Sequence, residues 1–167
     1  KNGLIALEKK LYGTETGKIG AEKVTVPGHG EMTKADLYEN IFKAQADENT
    51  ADIWGAAWTG HNGGGALGIL LQSLRKGGKL ETRNVYGKEF VDPVENPLGF
   101  EVHAFDAIRP KIVAETMRAR ANGDKHVLEQ ADALDRYAKE ASNPGDYVFG
   151  NIQTPAERIV IPRQELE

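Results

Sequence analysis

Cysteine is absent from the 167 residues, which removes disulfide frameworks, thiolate zinc sites, iron–sulfur clusters and cysteine nucleophiles together. Covalent chemistry on this chain therefore falls to Ser, Thr, Lys, His or a carboxylate. Long hydrophobic runs are also missing. The longest strongly apolar stretch covers residues 66–71, far short of the roughly 20 residues of a membrane helix, so the chain reads as soluble and without a membrane partner. No charge of one sign is concentrated anywhere. Against 21 Lys and Arg stand 25 Asp and Glu, for a net charge of -4. Residues 1–50 carry about -1, 51–100 are neutral and the remainder carries about -3, so no third is basic. A non-specific nucleic-acid clamp needs several cations on one face, and that class is excluded; a small nuclease, needing only two or three, stays open.

What is present fits one globular domain: 40% hydrophobic and 28% charged residues, with enough chain for one sizeable core. The chain starts at Lys1 and goes straight into Leu4, Leu7 and Leu11 at helical spacing. Leu166 and Glu167 resemble residues left by cloning ahead of an affinity tag. The expectation is a single domain, 1–167, excised from a longer polypeptide.

Glycine and proline cut the chain into short elements. A helix is expected near residues 3–12, then a strand at 22–26 that ends at Pro27-Gly28. Thr33 followed by Asp36 is an acidic variant of the capping box ahead of Leu37, Tyr38, Ile41 and Phe42. Ile53, Trp54, Ala57 and Trp58 form a further helical stripe, read as core, with Gly60 closing it. A helix is expected at 66–76, a hairpin of 80–85 with 88–91 around Tyr86-Gly87, and a strand at 98–105. The firmest feature is a helical hairpin between 106 and 141. Asp106 caps its first helix, Pro110 sits in the first turn, Asn122-Gly123 turns the chain, and Asp124 starts the second helix. Strands at 147–152 and 158–161 complete an α+β fold of about six helices with a small, mainly antiparallel sheet.

Residues 60–68, Gly-His-Asn-Gly-Gly-Gly-Ala-Leu-Gly, are the most suggestive segment for chemistry. Consecutive glycines let backbone amides approach an anion, and a following helix adds its positive end. Gly63, Gly64 and Gly65 are the candidate ligand-binding residues, with Asn62 and His61 beside them. Gly63, Gly65 and Gly68 spell GxGxxG, but the preceding helix replaces the strand that a dinucleotide fold requires, and no Lys-Ser or Lys-Thr follows to make a Walker A loop. Glycines ahead of a helix are also similar to the pyrophosphate-binding turn of acetyl-CoA-dependent acetyltransferases. Gly60 replaces the Arg or Gln that opens that motif, Leu98-Gly99-Phe100 only faintly matches the family's late strand, and the intervening helix is lacking, so the chain is not assigned to it.

Glu101 and His103 are the candidate catalytic pair, with His61 as a third member. On a strand, 101 and 103 share a face and Asp106 lies just beyond, a set suited to general acid–base work or to two ligands of a metal. A polar outer face opposite Val102 and Ala104 explains the same residues without chemistry. His29, His61 and His103 have no short helical spacing, so no preformed metal motif exists and no metal or cofactor is assigned. Arg120 and His126 flank the expected turn, and Arg75, Lys76 and Lys79 complement a helix end.

Three function classes follow. The first is an enzyme or effector domain, a transferase or hydrolase, that holds a small anionic ligand such as a nucleotide or CoA ester on the glycine segment and moves a proton with His103 or Glu101. The second is a non-catalytic binding or assembly module of a larger phage or bacterial protein. The third is a translocated toxin domain such as a nuclease, for which the lack of cysteine removes any disulfide risk between compartments.

Overall fold

The structure, a computed structural model, describes residues 20–59, 61–74 and 78–166. The helix expected at 3–12 lies outside them, as do Gly60, Arg75 and Lys76. The described residues form an α+β fold with five α-helices and two small sheets. Internal contacts divide the described residues into two compact units, one of residues 20–47, 85–103 and 148–160 and one of 48–59, 61–74, 78–84, 104–147 and 161–166.

In the first unit, β1 (Lys23–Val26) and β2 (Gly30–Thr33) pair antiparallel with Val26 opposite Gly30. The turn between them needs left-handed backbone, which Gly28 (φ 81°) and Gly30 (φ 84°) supply. Helix α1 (Lys34–Thr59) follows at once. The Thr33 hydroxyl accepts the Asp36 amide at 3.1 Å and donates to the Asp36 carboxylate at 2.7 Å, so the expected cap is in place. With neither glycine nor proline in residues 43–52 to interrupt it, α1 joins the two helices expected around 33–42 and 50–58 into one.

A second sheet, of mixed direction, has the order β3 (Arg83–Tyr86), β4 (Tyr147–Asn151), β5 (Arg158–Ile161). The last two strands match expectation, but the sheet as a whole is not mainly antiparallel. No hairpin forms around Tyr86-Gly87 either. A 3-10 turn at Lys88–Phe90 follows Gly87, and the backbone of β3 is met instead by residues 99–101. Gly87 N donates to Gly99 O at 2.8 Å and Glu101 N to Val85 O at 3.0 Å.

The strand expected at 98–105 is reduced to one antiparallel bridge between Tyr86 and Phe100. On the side of Phe100 turned away from β3, the buried Asn96 side chain donates to Phe100 O at 2.7 Å and to Phe90 O at 2.8 Å and accepts from Phe100 N at 2.9 Å. Beneath this corner Phe100 packs its ring 6.0 Å from Tyr86 and 4.7 Å from Phe149, all three buried.

The second unit is helical. Helices α2 (His61–Leu74), α3 (Arg109–Arg120) and α4 (Lys125–Ala141) pack together, and α3 with α4 makes the expected hairpin. Its turn is built from local signals: Asn122 (φ 46°) and Gly123 (φ 83°) are both left-handed, and the Asp124 carboxylate accepts from His126 N and Val127 N to cap α4. Pro110 sits in the first turn of α3 as expected, whereas Asp106 does not cap it: the residue before α3 is Ile108, and no side chain caps that end. Val113, Ala114 and Met117 of α3 meet Ala131 and Leu134 of α4 and Ala56 of α1 in one cluster. At the rim Arg118 reaches Glu115, Asp132 and Asp135, and these carboxylates, led by the Asp132 hydrogen bond, raise its pKa further. A short helix α5 (Arg163–Leu166) ends the described chain.

Candidate functional site

The glycine segment does not form a loop. Residues 61–68 are the opening turns of α2. Glycine's intrinsic cost in a helix is overridden by packing: Gly68 is buried, and a Cβ there would strike the Tyr137 ring of α4. The segment's last glycine thus lets α2 and α4 approach closely. All three glycines expected to hold a ligand lie within the first five residues of α2, with Gly65 past its first turn. Asn62 is exposed on α2.

Glu101 and His103 are brought together, although by a bend and not by a strand. His103 Nδ1 lies 3.1 Å from Glu101 Oε1, with the imidazole 52% and the carboxylate side chain 22% exposed. The segment is fixed from behind by Gln45 of α1, a buried side chain whose Nε2 donates to His103 O at 3.1 Å and to Glu101 O at 3.5 Å. The carboxylate beside Nδ1 orients the ring. Glu101 and His103 belong to the first unit; Asn62, Gly63, Gly64, Gly65 and the buried Asp106 belong to the second. Among the described residues no three His, Asp or Glu side chains are grouped as a metal site would need. Arg120 and His126 flank the α3–α4 turn, as expected, with His126 Nε2 at 2.7 Å from Gln130 Nε2.

The tryptophans overturn their expected role. Trp54 is 61% exposed and Trp58 83% exposed, both on α1. Their spacing was right for a helical stripe, but the buried stripe is another one: Leu37, Tyr38, Ile41, Gln45, Asn49 and Ala56. Ala56 stands about 200° around the helix from both indoles, which sends them outward.

That buried stripe contains the feature sequence reasoning missed. Asp52 continues it and forms a two-pronged ion pair with Arg109 of α3, Nε to Oδ2 at 2.7 Å and Nη2 to Oδ1 at 2.9 Å, with both side chains largely buried. The Arg109 pKa is raised, first by the Asp52 hydrogen bond and further by the charges of Asp52, Glu48 and Asp106, against the opposing effect of burial. The available signal was the run Gln45, Asn49, Asp52 at helical spacing on the apolar face begun by Leu37 and Ile41; a polar continuation of a buried stripe demands partners.

No helix among the described residues is long and apolar enough to cross a membrane. No protein-family model, curated protein or solved structure matches the chain.

Proposed function

We propose that the chain is a non-catalytic assembly module, and that the outward face of α1 around Trp54 and Trp58 meets the same face of a second copy. The observation that carries this reading is that the only two tryptophans of the sequence, four residues apart on one helix, are both exposed. Burying large side chains there would otherwise stabilise the monomer, so their exposure needs a use. Charge supports a self-complementary contact. The molecule carries -4 overall, yet no charged residue occurs from Ile53 to Leu74, and the adjacent Asp52 is paired with Arg109. Two copies can therefore approach here without like-charge repulsion.

The two indoles expose about 350 Å², below the roughly 800 Å² per partner of a stable interface. Association is therefore weak, with a dissociation constant on the order of 100 μM. Light scattering after size exclusion is expected to show average mass rising toward a dimer as loading passes from about 10 μM to about 1 mM. Trp58→Ala is expected to stay monomeric, with an unchanged melting temperature because the side chain is exposed. A mass that does not rise with concentration, or that rises equally in the variant, rejects the reading.

The 3.1 Å pairing of Glu101 with His103 on a carbonyl-anchored bend favours a second reading, acid–base chemistry on a small anionic ligand. In that case one member of a panel of nucleotides and CoA esters, at a hundred times its dissociation constant, stabilises the protein by about 2.7 kcal/mol, and His103→Ala abolishes the shift. A flat panel rejects it.

A further inference from the structure

We propose that Asn122-Gly123, the turn between α3 and α4, is a site of spontaneous covalent modification at which Asn122 is converted to aspartate and isoaspartate. The sequence holds three Asn-Gly pairs, at 2–3, 62–63 and 122–123; the first lies outside the described residues. The other two have opposite surroundings. Asn62-Gly63 is inside α2, where the helix fixes the backbone torsions. Asn122-Gly123 is exposed between two helices, and Asn122 is the one non-glycine residue with positive φ among those described.

Three local features favour ring closure at this pair. The Gly123 amide makes no hydrogen bond among the described residues, since the turn is closed around it by Asp124 N donating to Ala121 O at 2.8 Å. Apart from Gly123 and its two chain neighbours, nothing lies within 4 Å of where a Gly123 side chain would stand, so no other part of the protein crowds the turn on that side. The left-handed Asn122 backbone is a conformation the residue leaves at little cost.

The chemistry requires only water. The Gly123 nitrogen gives up its proton and attacks Cγ of Asn122. The new N–Cγ bond closes a five-membered imide as the Cγ–Nδ2 bond breaks, and Nδ2 leaves as ammonia with the transferred proton. Water then adds to either imide carbonyl and breaks one of its C–N bonds, giving aspartate or isoaspartate. Both products add one negative charge beside Asp124, and isoaspartate lengthens the main chain by one methylene at the joint of the hairpin.

The two described pairs allow an internal comparison. Trypsin releases Asn122 in peptide 121–125 and Asn62 in peptide 44–75, so both can be followed by mass, a gain of about 1 Da, and by enzymatic methylation of isoaspartate. After incubation of the folded chain in mildly alkaline buffer, conversion at Asn122 is expected to exceed that at Asn62 about tenfold or more, and the ratio to fall toward one in concentrated urea, where the helix no longer protects. No conversion at Asn122, a folded-state ratio of one or less, or a urea ratio as large as the folded one overturns the proposal.

Discussion

Gly99→Ala is expected to lower the stability of the protein by about 3–4 kcal/mol, a large part of the roughly 5–15 kcal/mol that holds a typical domain together. Two costs combine. Gly99 has φ 67°, a left-handed conformation that charges an L side chain about 1–2 kcal/mol. The added Cβ would also fall well inside contact distance of the Gly87 carbonyl oxygen and 2.9 Å from Val91 Cγ2. Backbone cannot swing aside here, because Gly87 N donates to Gly99 O at 2.8 Å and Glu101 N to Val85 O at 3.0 Å, so overpacking adds about 1–3 kcal/mol. Gly87→Ala is the internal control. A Cβ at Gly87 would meet only the ends of the Glu89 and Gln153 side chains, and the backbone there is extended at φ 170°. Those side chains can turn away, and its cost is expected to stay near 1 kcal/mol or less. Urea midpoints at constant slope measure both. Equal midpoints for the two variants would show that the Gly87–Gly99 contact does not constrain this corner.

The elements legible in the sequence are those whose ends carry their own instructions. Thr33 with Asp36, and Asn122-Gly123 with Asp124, are complete within a few residues, and the structure shows each cap and the hairpin they define. The elements that were misread depend on distant residues. Glycine's low helix propensity argued for a loop ahead of a helix at 66–76, but the helix already begins at His61. β-propensity argued for a strand at 98–105, yet the segment meets β3 at a single bridge, Tyr86 with Phe100. Periodicity gave the spacing of Trp54 and Trp58 but contains no information on which of two faces a helix buries, since the buried face of α1 is apolar at one end and polar at its middle. The proximity of Glu101 and His103 was legible for a simple reason: residues two apart can meet on a bend as well as on a strand.

Arg109→Met is expected to cost about 3–5 kcal/mol, the range for removing one member of a buried ion pair. The loss comes less from the attraction itself than from what is left behind. Asp52 would remain with only 9% of its side chain exposed and its two charge-assisted hydrogen bonds gone, near the charges of Glu48 and Asp106 that now act on Arg109. The partners are 57 residues apart and join α1 to α3 within the helical unit, so the damage is expected in the packing of that unit. Acid or base within the ordinary working range should not mimic the substitution from the arginine side. Its pKa is raised by Asp52, so its contribution is complete below the unfolded-state value and is lost only as pH climbs through the still higher folded-state value. The decisive measurement is a double-mutant cycle. Asp52→Leu combined with Arg109→Met removes the stranded charge along with its partner, and the pair of changes is expected to cost about 1–2 kcal/mol, less than Arg109→Met alone. If the single costs instead add to within about 0.5 kcal/mol, Asp52 and Arg109 do not act as a unit, and the polar centre of the α1 face is held by other contacts.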